Sequence, residues 1–132
     1  MKLSRTVGHA LAAVICVAQS SPESLQNNRD ICERVGLPRP FMLKLLGILT
    51  EKNILSSTRG RYGGYQMARP PEEITLLEII EAIEGPIGHP VELNAIGLIP
   101  EMFTLIEDTL AAATADARAR LAGITLSGLI AK

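Results

Sequence analysis

The spacing of apolar residues changes several times along this chain, and each change marks an element. Between Leu3 and Gln19, the residues Val7, Leu11, Val14, Ile15 and Ala18 recur on one helical face, which predicts a first helix with Ser4 as candidate N-cap. Ser20-Ser21-Pro22 ends it. A short second helix is predicted from about Asn27 to Val35, with Ile31 and Cys32 turned inward. Gly36 then stands where a helix–helix turn wants a left-handed residue. A third helix begins near Pro38, since proline is tolerated in a first turn, and ends around Asn53. Its inward positions are Met42, Leu45, Leu46 and Leu49.

Past Asn53 the pattern shortens to two β-prone arms, Leu55-Ser56-Ser57-Thr58 and Tyr65-Gln66-Met67-Ala68. Gly60, Gly63 and Gly64 lie between them and can take positive φ, so the arms are expected to pair as a hairpin. Pro70-Pro71 closes the second arm, and Thr75 can cap a helix from about Leu76 to Glu84. Leu76, Ile79, Ile80 and Ile83 form its apolar side, leaving Glu78, Glu81 and Glu84 as an expected solvated face. Gly85-Pro86 stops it, and residues 86–100 show no clear period, so a loop is expected there. In the last helix, Glu101 to about Ala122, Phe103, Ile106, Leu110, Ala113 and Ala117 follow alternating steps of three and four. That is a coiled-coil-like seam and predicts a dimer interface, the competing reading being a helix folded back on its own domain.

Composition narrows the class. The chain has 132 residues, 47% of them hydrophobic but only 3% aromatic, so one domain with an aliphatic, mainly α core is expected. The formal net charge of −1 hides an uneven distribution. Residues 29–69 hold eight Lys/Arg against three acids, whereas residues 70–132 hold three against ten. A basic middle of this kind predicts a polyanionic partner. The apolar run from Ala10 to Ala18 is too short to span a bilayer, and Cys16 and Cys32 lack a CxxC spacing. A soluble, cytoplasmic protein with no membrane association is the expectation. The chain carries no nucleophile elbow, no phosphate-binding glycine loop and no metal-ligand repeat, so an enzyme is not expected.

The tip of the hairpin carries Arg59 and Arg61, and no acid occurs from Ser56 through Arg69. A short helix, a glycine turn and a helix opening with Arg39 and Lys44 form a helix-turn-helix pattern. A basic hairpin directly behind it makes a winged helix-turn-helix. Read this way, residues 1–85 form the DNA-binding domain, 86–100 a loop, 101–122 a dimerisation helix, and 123–132 a tail packing on the domain.

With these residues assembled, the chain resembles the bacterial winged-helix regulators typified by the iron–sulfur cluster regulator, the nitric-oxide-sensing repressor and the cysteine-metabolism repressor. The matching motifs are Met1-Lys2-Leu3-Ser4, Ile31-Cys32-Glu33-Arg34, Ser57-Thr58-Arg59-Gly60 with Gly63-Gly64-Tyr65, Ala68-Arg69-Pro70, Ile74-Thr75-Leu76 and Glu81-Ala82-Ile83-Glu84-Gly85. Ile124-Thr125-Leu126 is similar to the family's closing strand or turn. The resemblance implies a homodimeric transcription regulator, in the main a repressor, that binds pseudo-palindromic double-stranded operator DNA. It implies a recognition helix in the major groove and a wing in the minor groove. The DNA-contacting positions it points to are Pro38, Pro40, Phe41, Leu43 and Lys44 on the helix and Arg59 on the wing, and Asn28, Arg39, Gly60 and Arg61 complete the candidate DNA-binding set. Family members often carry small hydroxyl residues where this chain has Pro38 and Pro40, and a carboxylate where it has Leu43, so operator sequence does not carry over.

The sensing members of that family hold an iron–sulfur cluster on three cysteines in the loop after the Glu-Gly helix. In this sequence those positions fall on Glu92, Leu98 and Thr104, and a histidine ligand of some members falls on Glu107. Cluster iron needs thiolates or imidazoles, so the loop reads as a former sensor without cysteines, and no cofactor and no metal are expected. His89, Glu92, Glu101 and Glu107 are the candidate donors for another metal, though a histidine between Gly88 and Pro90 reads more simply as exposed. His9 is expected to pack locally, Cys16 to be a buried small hydrophobe, and Cys32 to be inert packing unless exposed to oxidation. Two other readings remain open. One is a protein-interaction module that acts through a regulatory partner such as an enzyme; the other is a small-ligand sensor lined by Ile87, Val91, Leu93, Ile96, Leu98 and Ile99.

Overall fold

Helix α1 (Arg5–Ala18) is the centre around which the chain is wound. The computed structural model describes residues 1–88, 97 and 99–132. α1 touches α2 (Asn28–Val35), α3 (Arg39–Glu51), strand β2 (Gly64–Met67), α4 (Leu76–Glu84) and α6 (Leu126–Ile130). Val7 and Val14 are buried as their spacing predicts, but Ala10, Ala13, Cys16 and Val17 complete the inner side. Leu11, Ile15 and Ala18 only pack at its margin. The physical reason is crowding: a helix approached from several sides needs small residues at the contacts, and alanine carries little signal in a hydrophobic pattern.

α3 follows its sequence pattern closely, with Met42, Leu45, Leu46 and Leu49 buried. They join Ile31, Ile54, Leu55, Ile74, Ile79 and Leu126 in one aliphatic core. Asn27 caps α2 by accepting the Asp30 N–H at 2.8 Å, and Thr75 caps α4 by accepting the Glu78 N–H at 3.1 Å. Ser4 stands at the N-cap position of α1 but does not cap it. Its backbone N–H and hydroxyl both donate to the Glu84 carboxylate at the end of α4, which holds that carboxyl below its ordinary range.

The glutamates of α4 correct the sequence reading, because they are bonded rather than simply solvated. Glu78 pairs with Arg69, and Glu81 pairs with Arg118 of α5 (Pro100–Ala122). Glu81 also accepts the N–H of Ile87 at 2.8 Å. Helical periodicity sees only that these residues point away from the core, whereas their partners come from distant parts of the chain.

Strand β1 (Leu55–Thr58) pairs antiparallel with β2, Leu55 opposite Met67 and Thr58 opposite Gly64. The second strand thus starts one residue earlier than predicted. A single-residue bridge joins Thr75 to Thr125, after which the tail turns into α6 and buries Leu126. Among the described residues, no helix is long and apolar enough to cross a membrane.

Candidate nucleic-acid interface

Gly36 sets the angle between α2 and α3. Its φ of 79° is the left-handed conformation that closes α2, with its N–H on the Cys32 carbonyl at 2.8 Å. Because four large residues of α3 face the core, Arg39, Pro40, Leu43, Lys44 and Gly47 are left exposed on its outer side. Phe41 is exposed at the flank toward α1. Pro38 holds the N-cap position without a side-chain bond, and no acid stands in the first turn. The positive end of the helix dipole is therefore left without a counter-charge from its own residues.

The wing is bolted to the segment that leads into α2. Tyr65 of β2 and Gln26 exchange backbone hydrogen bonds, Tyr65 N–H to Gln26 at 2.8 Å and Gln26 N–H to Tyr65 at 2.9 Å. Arg69 braces the base of the wing by donating to the Asn53 carbonyl at 3.1 Å and pairing with Glu78. Arg59, Gly60 and Arg61 form an exposed tip on this fixed base. The Arg61 guanidinium carbon lies 5.7 Å from the centre of the Tyr62 ring, a cation–π distance, and Tyr62 is 85% exposed.

Of the glycines in the wing, Gly60 and Gly64 take positive φ, whereas Gly63 does not. Gly63 is required by contact instead: a Cβ there would stand 2.0 Å from the Thr58 carbonyl oxygen.

The residues predicted to meet DNA fall into two exposed groups, with one difference. Pro38, Arg39, Pro40, Phe41, Leu43 and Lys44 cluster at the start of α3, and Arg59, Gly60 and Arg61 lie on the wing, all exposed. Asn28 is half-buried and turned inward: its Oδ1 accepts the Cys32 thiol at 3.3 Å and its Nδ2 is buried. Three further exposed residues stand beside these groups: Arg5, which shares a shallow recess of ≈ 400 Å³ with Phe41 and Lys44, Tyr62 on the wing, and Gly47 on α3. Gly47 carried a readable signal. A glycine inside a helix costs stability relative to alanine, yet nothing in the fold would meet a Cβ at this position.

α5 is 23 residues long and buries none of them in the single chain. The predicted seam is divided: Phe103, Ile106 and Ala117 are half-buried, while Leu110 and Ala113 are exposed. Met102 and Leu105, outside that seam, are 49% and 68% exposed. At 100° per residue the predicted seam spans roughly 80° of the helix, Met102 and Leu105 extend it on one side, where Thr109, Asp116 and Arg120 also fall, and the chain's own domain covers the opposite edge.

The donor set does not fit an iron–sulfur cluster. The two cysteines of the chain are Cys16, buried in α1 with its thiol pushed up by desolvation, and Cys32, bonded to Asn28 on α2. Segment 86–104 contains no cysteine. Of the positions aligned with cluster ligands, Thr104 and Glu107 lie exposed on α5, whereas Glu92 and Leu98 fall outside the described residues, as do His89, Val91, Leu93 and Ile96. Among the described residues, no three His, Cys, Asp or Glu side chains converge as a metal site.

Helix-turn-helix, wing and basic exposed surface define a DNA-binding regulator of transcription. Over residues 3–132 the chain matches the Rrf2 family, described as iron-dependent transcriptional regulators, and it belongs to that family. A Mycobacterium tuberculosis protein named as an HTH-type transcriptional regulator is 28% identical over 129 residues, covering 96% of this chain and 80% of that protein. CymR of Bacillus subtilis is 32% identical over 93 residues, 70% of this chain and 67% of CymR. The structure of B. subtilis CymR, the global cysteine regulator, superposes with a TM-score of 0.78 at 27% identity, covering 99% of this chain and 97% of that one. T. potens IscR superposes with a TM-score of 0.75 at 25% identity, covering 98% and 86%.

Proposed function

We propose that this chain is a homodimeric repressor, not an enzyme, that binds a pseudo-palindromic operator without an iron–sulfur cluster. The observation that carries the reading is a basic, exposed start of α3 together with a basic wing fixed by its backbone bridge to the α2 lead-in. Arg39, Lys44, Arg59 and Arg61 are displayed there, and no acid occurs from Val35 to Thr50 or from Ser56 to Arg69. In this reading the first turns of α3 enter the major groove, Arg59 enters the adjacent minor groove, and α5 pairs with its symmetry mate. Two recognition helices then lie about one DNA turn apart, roughly 34–36 Å. The cluster-free part of the proposal rests on the donor chemistry of the two cysteines.

Selection of genomic fragments by the purified protein tests it, followed by titration of the recovered operator at several salt concentrations. Affinity is expected to fall linearly with the logarithm of salt, because Lys and Arg release counterions from phosphates. The Arg59→Ala variant is expected to lose about 1–3 kcal/mol of operator binding while keeping its thermal stability. Unchanged affinity would remove the wing from the interface.

Gly47 offers a test with opposite signs in its two readouts. Replacing it by alanine adds a Cβ into open space and improves helix propensity, so stability is expected to rise by about 0.5–1 kcal/mol. Operator affinity is expected to fall, because the added methyl stands on the side of α3 that approaches DNA. A thermal melt and a binding isotherm on the same preparation check both, and a stabler variant with wild-type affinity would place Gly47 outside the contact.

A further inference from the structure

The outer surface of α3 is short of the groups that usually read bases. Between Pro38 and Gly47 its only polar side chains are Arg39 and Lys44. Asn and Gln, which read adenine, are absent from this stretch, and so are the acids that accept from cytosine. In their place stand Pro40 and Leu43 on the outer face, Leu43 at 44% exposure, and Phe41 at 63% exposure on the flank toward α1. None of the three serves the core, which takes Met42, Leu45, Leu46 and Leu49 from the same helix.

Placed against the polar edge of a purine or a cytosine, such a surface strips water from donors and acceptors and returns no hydrogen bond, which is unfavourable. One base-edge group in the major groove gains from apolar contact, the C5-methyl of thymine. Resting on the reading of α3 as the major-groove helix, we infer that Pro40 and Leu43, on its outer face, form a thymine-methyl reader. Arg39 and Lys44 hold it in register through phosphates or guanine. Charge complementarity commits the patch to DNA rather than to protein: the cations beside it carry no acidic neighbour on α3 before Glu51, and the wing tip adds two more arginines.

The specificity this produces is of a particular kind. Thymine contacts discriminate through shape and burial of a methyl group, so the operator half-site is expected to place thymines opposite the first two turns of α3. Each buried methyl is worth about a three- to fivefold change in affinity, less than a bidentate hydrogen-bonded contact.

The test uses the full-length protein and the operator recovered by genomic selection, resynthesised with deoxyuridine in place of one thymine at a time. This change removes the methyl and leaves Watson–Crick pairing intact. A three- to fivefold loss of affinity at one or more positions per half-site is expected. The Leu43→Ala variant, at an exposed position and so expected to fold, should bind thymine and uracil operators with nearly equal affinity at the affected positions, whereas Phe41→Ala, on the flank toward α1, should keep the thymine preference. An operator that binds equally well with every thymine replaced overturns the methyl reader while leaving DNA binding intact. Failure to recover any enriched fragment overturns the operator reading itself, and this inference with it.

Discussion

Replacing both Met102 and Leu105 by glutamate is expected to convert the protein to monomers and to weaken operator binding by at least about a hundredfold. Both side chains stand on the uncovered edge of α5, at 49% and 68% exposure, so the isolated domain loses little by the change. In a two-fold dimer the same patch meets itself, and the double substitution brings four carboxylates into one apolar contact. Burying them unpaired is prohibitive, so the interface opens. Each freed monomer then binds one half-site, without the gain from linking two binding modules, which is on the order of 10²–10⁴. Sedimentation velocity reads the first effect and titration with the full operator reads the second. Affinity for a duplex carrying one half-site should match that of the wild type measured on the same duplex, which separates loss of pairing from loss of folding. A double variant that stays dimeric and binds normally would move the interface off this edge.

The seam on α5 shows where a sequence pattern stops being informative. Steps of three and four mark an apolar seam, but they do not say which edge faces the chain's own domain. Phe103 and Ile106 are already half-covered, and Met102 and Leu105, one position away from each, are more open. The glutamates of α4 show the same limit for charge. Glu78, Glu81 and Glu84 were legible as outward positions, yet their bonds to Arg69, Arg118 and Ser4 link residues up to 80 positions apart. Local patterns, in contrast, transferred well. The core side of α3, the Thr75 and Asn27 helix starts and the Gly36 turn are each decided within one or two helical turns of sequence. The lack of thiolate donors in segment 86–104 was legible for a different reason: it depends on residue type alone, and packing cannot supply a thiolate.

The wing glycines carry the second large effect. Gly64→Ala is expected to destabilise the protein by roughly 2–6 kcal/mol and to reduce operator binding beyond what unfolding explains. A Cβ at Gly64 would lie 2.6 Å from the Gln26 carbonyl oxygen and 2.9 Å from its carbon, closer than real Cβ contacts allow. That same oxygen accepts the Tyr65 N–H, so the obstruction falls on the bridge joining wing and α2 lead-in. The Gln26 carbonyl has no rotamer by which to retreat, so relief requires the two backbones to separate. Overpacking of this kind costs about 1–3 kcal/mol, and loss of the two bridging hydrogen bonds adds about 0.5–1.5 kcal/mol each. The core contributions of Leu55 and the helices remain in place, so a folded population persists in which the hairpin is formed but no longer held at a fixed angle to α3. Arg59 then has to be positioned at the moment of binding, and the ordering cost appears as weaker affinity. Denaturant unfolding gives the stability change, and operator titration under conditions where the variant is folded gives the second. Hydrogen exchange at the Tyr65 amide reports the bridge directly and should rise in Gly64→Ala while core amides of α3 stay protected. Retained protection at Tyr65 together with wild-type affinity would show that the bridge does not govern the wing.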